Sequence, residues 1–309
     1  MDSSLPNKNL TKGILYASGT ALLWGFLAIF LKYALKFVDP VTLSWFRFSI
    51  AFLILTFVLY FRDKTKLNLL KKPPPIAILA GTLLAINYVA FITGIEKTTA
   101  SNGQVFIQIG PLLLAAAGVF VFKEKLSPLQ IMGFILATCG FVFFFNEQLS
   151  NVISFEQGNY KFGSFLVIGS AVCWSLYAII QKTLVRIHNP QSLNLIIFGM
   201  PLILLLPFID YSVFYALSFN QWLIIAFLGL NTVLAYGGIA EAFRYMEANK
   251  VAIIITVNPI ITIITMSILA FMEVTFIKPD IITPYGAAGA FLVILGAIFA
   301  VGKKSKKSK

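Results

Sequence analysis

Inside the apolar run "GQVFIQIGPLLLAAAGVFVF", Gln104, Gln108 and Pro111 follow one another at four- and three-residue steps; Asn258 and Pro259 stand together inside a second run, "VAIIITVNPIITIITMSILAF". Amide side chains offer a carbonyl acceptor and an NH2 donor but no titrating proton, so their chemistry is recognition rather than acid–base or nucleophilic work. Each proline removes a backbone donor and clashes with the carbonyl one turn earlier, and a bare backbone polar group is costly in hydrocarbon. The recurrence of amide and proline in two runs points to helix breaks at Pro111 and Pro259 that serve a bound molecule.

Helical spacing gathers further groups. Gln104, Gln108, Pro111 and Ala115 share one face, as do Ser170, Trp174, Tyr177 and Gln181 on another helix and Trp24, Ala28 and Lys32 on a third. Asn87 with Tyr88, Asn231 with Tyr236, and Thr256 with Asn258 add polar and aromatic side chains on three more segments. Small ligands are held by apolar walls with a few directional polar groups. The substrate-binding candidates are therefore Trp24, Asn87, Tyr88, Gln104, Gln108, Trp174, Tyr177, Asn231, Tyr236 and Asn258. The same polar groups also suit interhelical hydrogen bonds, worth about 0.6 kcal/mol each in a membrane. Lys32, Arg47, Lys182 and Glu241 are the charged candidates for gating, since charges inside apolar spans are costly. Lys32 and Lys182 lie toward helix ends, where snorkelling to an interface competes with attracting a substrate carboxylate at opposite mouths. Glu241, the one acid expected within a span, has Arg244 and Lys250 as nearby partners.

Catalytic signatures are missing from this inventory. His188 is the only histidine and lies in a loop beside Asn189 and Pro190. No zinc-protease pair, phosphate-binding loop or nucleotide-binding domain stands in the sequence, so no catalytic residue, metal site or cofactor is expected. Cys139 and Cys173 are too few for a disulfide framework or thiolate metal site, and read as small buried packing residues.

Holding such groups in place requires long helices, and the composition demands a membrane around them. Hydrophobic residues make up 59% of the 309 and charged residues only 12%, with a mean hydropathy of +0.88; soluble domains carry about 25% charge. The net charge of +12 comes from basic residues at the ends of apolar runs, not from a basic surface of the kind that binds nucleic acid. Ten runs reach bilayer length, at 13–36, 42–61, 76–95, 99–122, 128–146, 163–185, 192–209, 220–243, 249–272 and 282–302. The first exceeds a signal-peptide core and lacks a small-x-small cleavage site, so it is expected to stay as a helix. Ser127, Pro128 and Gln130 form a capping-box pattern. Lysine and arginine concentrate in alternate loops, from Arg62 to Lys72, at Lys123 and Lys125, at Arg186, at Arg244 and Lys250, and in the tail "KKSKKSK". That bias puts both termini in the cytoplasm.

Setting Trp24 against Trp174 aligns "WGFLAIFLKYALKFVDPVTL" with "WSLYAIIQKTLVRIHNPQSL", with coincident Trp, Ala28/Ala178, Lys32/Lys182 and Pro40/Pro190. A second block aligns through Ala100/Ala248 and Pro111/Pro259, and a third shares a glycine spacing, Gly133 and Gly140 with Gly289 and Gly296. The chain thus reads as two diverged halves, 1–150 and 160–309. Each half has five spans, an odd number, so the second enters the membrane from the opposite side. The expected fold is an all-α polytopic membrane protein of ten transmembrane helices in two inverted five-helix repeats, an architecture of secondary transporters.

The stretches "ALLWGFLAIFLKYAL", "DPVTLSWFRFSIAFLIL" and "TTASNGQVFIQIGPLLLAAAGVFVFKEKLSPLQIMGFILATCGFVFF", with "WLIIAFLGLNTVLAYGGIAEAFRYMEANKVAIIITVNPIITII", resemble the drug/metabolite transporter superfamily in its ten-helix EamA-type branch, over residues 13 to 302. The resemblance implies an inner-membrane carrier of amino acids, other small metabolites or amphipathic compounds, commonly working outward. It implies a central cavity among helices 1, 3, 4, 6, 8 and 9, with helices 5 and 10 peripheral. It carries Arg47 to a charged position in helix 2, and Glu124 and Glu273 to acidic positions at the ends of helices 4 and 9. The second half departs from the pattern at Asn194 to Ile197, where no arginine matches Arg47. The expected partners are a small-molecule substrate and membrane lipid, with the oligomeric state open and a monomer plausible; a channel or a non-transporting scaffold or sensor is the alternative.

Overall fold

A computed structural model describes residues 9–98, 103–104, 106–144, 158–272 and 284–301. The described residues fold into helices α1 (Leu10–Ala34), α2 (Pro40–Arg62), α3 (Pro75–Lys97), α4 (Ile109–Phe120), α5 (Pro128–Phe144), α6 (Gly158–Leu184), α7 (Pro190–Leu205), α8 (Phe219–Tyr245), α9 (Ala248–Ile255), α10 (Asn258–Phe271) and α11 (Pro284–Val301). Short 3-10 segments at Lys64–Leu70 and Leu206–Phe208 and a helical turn at Val213–Ala216 lie in the described connections. Glu273, Lys278 to Asp280, residues 99–102 at the start of the fourth expected span, and the lysine tail lie outside the described residues.

Among the described residues seven helical runs are long and apolar enough to cross a membrane: α1, α2, α3, α6, Pro190–Phe208, α8, and Ala248–Leu269 across α9 and α10. Helices α4, α5 and α11 are equally apolar but shorter. The fourth expected span is interrupted by a turn at Ile107 and Gln108, so α4 is only its second part. Helices α5 and α11, with 17 and 18 residues, sit at the lower limit for crossing a bilayer, about 17 to 25 residues.

Helix starts follow local chemistry. Asp39 Oδ1 accepts from Val41 N at 2.9 Å and Thr42 N at 3.0 Å, ahead of Pro40 at the first position of α2. Asn189 Oδ1 does the same for Gln191 N at 3.0 Å and Ser192 N at 3.3 Å, ahead of Pro190 in α7. These caps take up N–H groups that have no partner within the helix. The expected capping box forms: Ser127 N donates to Gln130 Oε1 at 2.9 Å, and Gln130 N to Ser127 Oγ at 3.3 Å.

The two parts of the chain interleave. Helix α1 lies along α8 and α10, α3 along α6 and α7, α2 along α7 and α8, and α4 along α6 and α9, while α5 packs mainly on α11. The α5–α11 seam is backbone against backbone: a Cβ at Gly133 would lie 2.6 Å from Gly296 O, and one at Gly140 2.7 Å from Gly289 O. Small residues permit such approach between membrane helices.

Two expectations need correcting. Cys139 is exposed and Cys173 half-buried, both as free thiols; Gly133, Ala137 and Gly140 take the α5 stripe that faces α11 and leave Cys139 on the outer face with Ile135 and Val142. Glu241 is not the only acid in a helix, because α3 runs on through Glu96, which is exposed in its last turn.

Candidate substrate cavity

The helix breaks fall just before the two prolines rather than at them. In the first, Ile107 N donates to Gly103 O at 3.0 Å, and Gly110 N then bonds Ile107 O at 2.9 Å in a tighter turn. In the second, Val257 N donates to Ile254 O at 3.2 Å and Ile260 N to Val257 O at 3.1 Å. Pro111 and Pro259 occupy the first turns of α4 and α10, where a missing N–H leaves no bond unmade. Gln108 and Asn258 sit in or beside these breaks and meet: Gln108 Nε2 donates to Asn258 Oδ1 at 2.9 Å across a separation of 150 residues. Trp24 and Trp174, at the same separation, also touch, edge to face with centroids 5.8 Å apart.

Around these contacts lies a cavity of about 70 Å³. Helix α1 contributes Trp24, Leu27 and Ala28, α2 contributes Arg47, and α3 contributes Asn87, Tyr88 and Phe91. Gln104, Ile107, Gln108 and Pro111 come from the first break, and Ile255 and Asn258 from the second, with Trp174 from α6 and Tyr236 from α8. Tyr236 anchors the aromatic wall, its ring 5.5 Å from Trp24 and 5.9 Å from Tyr88.

The polar lining is only partly satisfied. Asn87 Nδ2 donates to Ser170 O at 2.9 Å and ties α3 to α6. Arg47, 1% exposed, donates from Nε to Thr232 Oγ1 and from Nη2 to Tyr88 OH, both at 3.2 Å. Its guanidinium lies 4.6 Å above the centroid of the Tyr88 ring. The Oε1 atoms of Gln104 and Gln108 are buried with no hydrogen-bond partner among the described residues. At the position set against Arg47, Ile197 is fully buried, so the guanidinium has no second copy.

Other sequence candidates stand apart from the lining. Tyr177 is fully buried behind Tyr236, rings 5.7 Å apart, with its hydroxyl unpartnered among the described residues. Asn231 Nδ2 donates to Leu23 O at 2.8 Å and joins α8 to α1. Glu241 lies 4.0 Å from Arg244 and accepts from Gln191 Nε2 at 3.3 Å, while Lys250 pairs with Glu247 instead. The apolar lining residues Leu27, Phe91, Ile107 and Ile255 escaped the sequence reading, although Leu27 and Phe91 stand three residues after Trp24 and Tyr88 on the same helical faces.

Lys182 is fully buried, and its Nζ donates to Phe243 O at 2.7 Å and Met246 O at 2.5 Å, the carbonyls at the C-terminal end of α8. A cation at that position also suits the helix dipole. Beside it, Glu124 accepts from Ala248 N at 2.7 Å and Asn249 N at 3.1 Å, capping α9 from the connection that follows α4. Lys123 takes the left-handed conformation, φ 55°, and Glu124 N bonds back to Gly118 O at 2.9 Å, which aims the carboxylate inward. Burial pushes the Glu124 carboxyl above its usual range, with the two backbone N–H groups and Lys182 pulling the other way. Tyr16 stacks on Tyr245 at 6.1 Å, and Arg186 lies 5.5 Å over Phe122, at this same end. At the opposite end of α1, the half-buried Lys32 makes a single longer bond, 3.4 Å, to Ile95 O. Neither lysine lines the cavity.

Comparison with known proteins bears on what such a cavity serves. The chain is 31% identical to the uncharacterized inner membrane transporter YhbE of Escherichia coli (strain K12), over 94% of this chain and 92% of that protein. It is 30% identical to an uncharacterized transporter of Haemophilus influenzae, over 94% and 95% of the two chains. A solved crystal structure shares the fold, with a TM-score of 0.72 at 18% identity over 94% of this chain and 98% of its own. The sequence profile of the EamA-like transporter family matches twice, over residues 11–146 and 161–302; the chain belongs to the EamA-like transporter family.

Proposed function

We propose that the chain is a secondary transporter that moves small metabolites, amino acids or related amphipathic compounds, across the inner membrane by alternating access, mainly outward. The observation that carries this reading is the cavity itself, sited where Gln108 meets Asn258 and Trp24 meets Trp174, each pair joining one half of the chain to the other. Its volume of about 70 Å³ is below that of an open small-ligand site, roughly 300 to 1,000 Å³, so cargo enters as the helices around it move apart. Ten spans in two inverted five-helix repeats, 1–150 and 160–309, account for this seam, and the twofold family match supports the division. Relatives named as inner membrane transporters support that location, and the basic loops put both termini in the cytoplasm.

In this topology the end held by Lys182 and Glu124 is cytoplasmic and closed, and the Lys32 end faces outward with a looser tie. Alternation exchanges the two. Helices α8 and α9 leave Lys182 and Glu124, and the breaks beside Gln108 and Asn258 absorb the bending. Cargo binds one cavity throughout, needs no cofactor, and is served by a single chain surrounded by lipid.

Counterflow in proteoliposomes tests the reading. Vesicles are preloaded with unlabelled amino acids, nucleobase or nucleoside metabolites, or organic cations, and entry of the labelled counterpart is followed. Saturable accumulation against the gradient is expected with one of these pools. Non-saturating entry would make the protein a channel, and no accumulation with any pool, from folded protein, would favour a scaffold or sensor.

A further inference from the structure

We infer that the cargo carries a carboxylate or an equivalent anionic group and that Arg47 is the residue that takes it, an inference that rests on the transporter reading. Among the described residues that line the cavity, Arg47 alone bears a formal charge. Among the described residues no carboxylate lies within 4.0 Å of it, since the ion pairs there involve Lys66, Arg244 and Lys250. The described acids are committed elsewhere: Glu124 on the start of α9, Glu241 and Glu247 beside their own basic neighbours, and Asp39, Asp63 and Asp210 capping local turns or helices. Glu96 is exposed. An arginine stays charged in proteins, and burying a charge without a counter-charge in a membrane is costly unless function calls for it. Here the described residues supply no counter-charge, and the cavity is where one would enter.

The geometry suits an anion. Thr232 and Tyr88 each fix one N–H of the guanidinium, and the Tyr88 ring supports its face. A guanidinium has five N–H groups in a planar fork, so the rest remain for the paired bonds that arginine makes to carboxylates. The unpartnered Oε1 atoms of Gln104 and Gln108 are acceptors in the same lining and fit the N–H groups of an ammonium or amide on the same molecule. Trp24 and Trp174 supply apolar wall for its body. The preferred cargo is therefore a zwitterion or an amphipathic acid, and a simple amine is rejected because it leaves Arg47 without a counter-charge.

The test uses purified full-length chain and two matched triplets: phenylalanine, 3-phenylpropanoate and 2-phenylethylamine, and leucine, 4-methylpentanoate and 3-methylbutylamine. Affinity is read from ligand-dependent melting temperature. At least one compound bearing a carboxylate is expected to bind at least about tenfold tighter than its amine, the least that a charge-assisted bond to a buried arginine supplies. Arg47→Gln should erase that ranking, and Arg47→Lys should keep it at reduced affinity. A purely structural Arg47 would lower the melting temperature of unliganded Arg47→Gln and leave the ranking unchanged. Where Arg47→Gln does not fold, the wild-type ranking and Arg47→Lys decide. Amines binding as tightly as the acids, or no response to any carboxylate, overturns the inference. Counterflow of cations or uncharged cargo alone overturns it while the transporter reading stands; no counterflow with any pool removes both.

Discussion

Lys182 and Glu124 show how a residue's role depends on what it can reach. The sequence admits Lys182 as a substrate attractor, but its Nζ is occupied by Phe243 O and Met246 O. Lys182→Met keeps much of the buried volume and strands those two carbonyls, so it should lower stability by about 1 to 3 kcal/mol while leaving the ranking of substrates intact; melting curves and competition assays check both parts. Burial holds the Glu124 carboxyl above the ordinary glutamate value of 4.5, so the folded chain keeps a proton that the unfolded chain has already lost. That contribution is full below the unfolded value and is lost as pH rises through the folded one. Glu124→Gln should flatten this part of a melting-temperature profile taken upward from about pH 4.5, and a wild-type slope persisting in the variant would assign the effect to another group.

At the scale of elements, the breaks before α4 and α10 are where the proposed alternation would bend the helices. The carbonyl of Ile107 takes Gly110 N in a tight turn because Pro111 has no N–H to offer it. Replacing Pro111 and Pro259 together with Ala restores donors to Ile107 O and Ile255 O, allowing each helix to run straight. The double variant should fold and melt normally but exchange cargo several-fold more slowly in counterflow. Helices α5 and α11 have the opposite character. Gly133 faces Gly296 and Ala300 backbone with no room for a side chain, so Gly133→Leu should force the pair apart and destabilise the protein by more than about 2 kcal/mol, measured by thermal melting. The capping box of Ser127 and Gln130, with Pro128 at the helix start, was legible in the sequence because it depends on contacts three residues apart. The true position of the breaks was not, because a proline constrains the turn before it and the tertiary contacts choose where that turn opens.

For the whole molecule, alternating access requires the end where Tyr16 stacks on Tyr245 to open. On a background with Cys139 and Cys173 replaced by Ala, Tyr16→Cys with Tyr245→Cys joined by a short reducible bifunctional reagent should arrest counterflow, and reduction should restore it. Full activity of the cross-linked protein would show that this end does not open during transport. Reporter fusions at the two termini should both signal the cytoplasm if the basic loops orient the chain.

The sequence by itself determined the helical membrane class and the family resemblance, because apolar length, composition and the extended matching stretches are written along the chain. Periodicity singled out Trp24, Gln104, Gln108 and Trp174, and residue type added Asn87, Tyr88, Tyr236 and Asn258; the fold gathers all of them around one cavity. Only the tertiary structure separated them from Tyr177 and Asn231, which share those helices and patterns but turn to neighbouring elements. It alone distinguished the charges. Lys182, Lys32 and Arg47 look alike as basic residues within apolar runs, and what differs is the partner within reach: main-chain carbonyls at helix ends for the lysines, and for Arg47 a cavity with no carboxylate of the chain's own among the described residues. A sequence lists its charges, but their counter-charges are set by contacts between residues far apart along it.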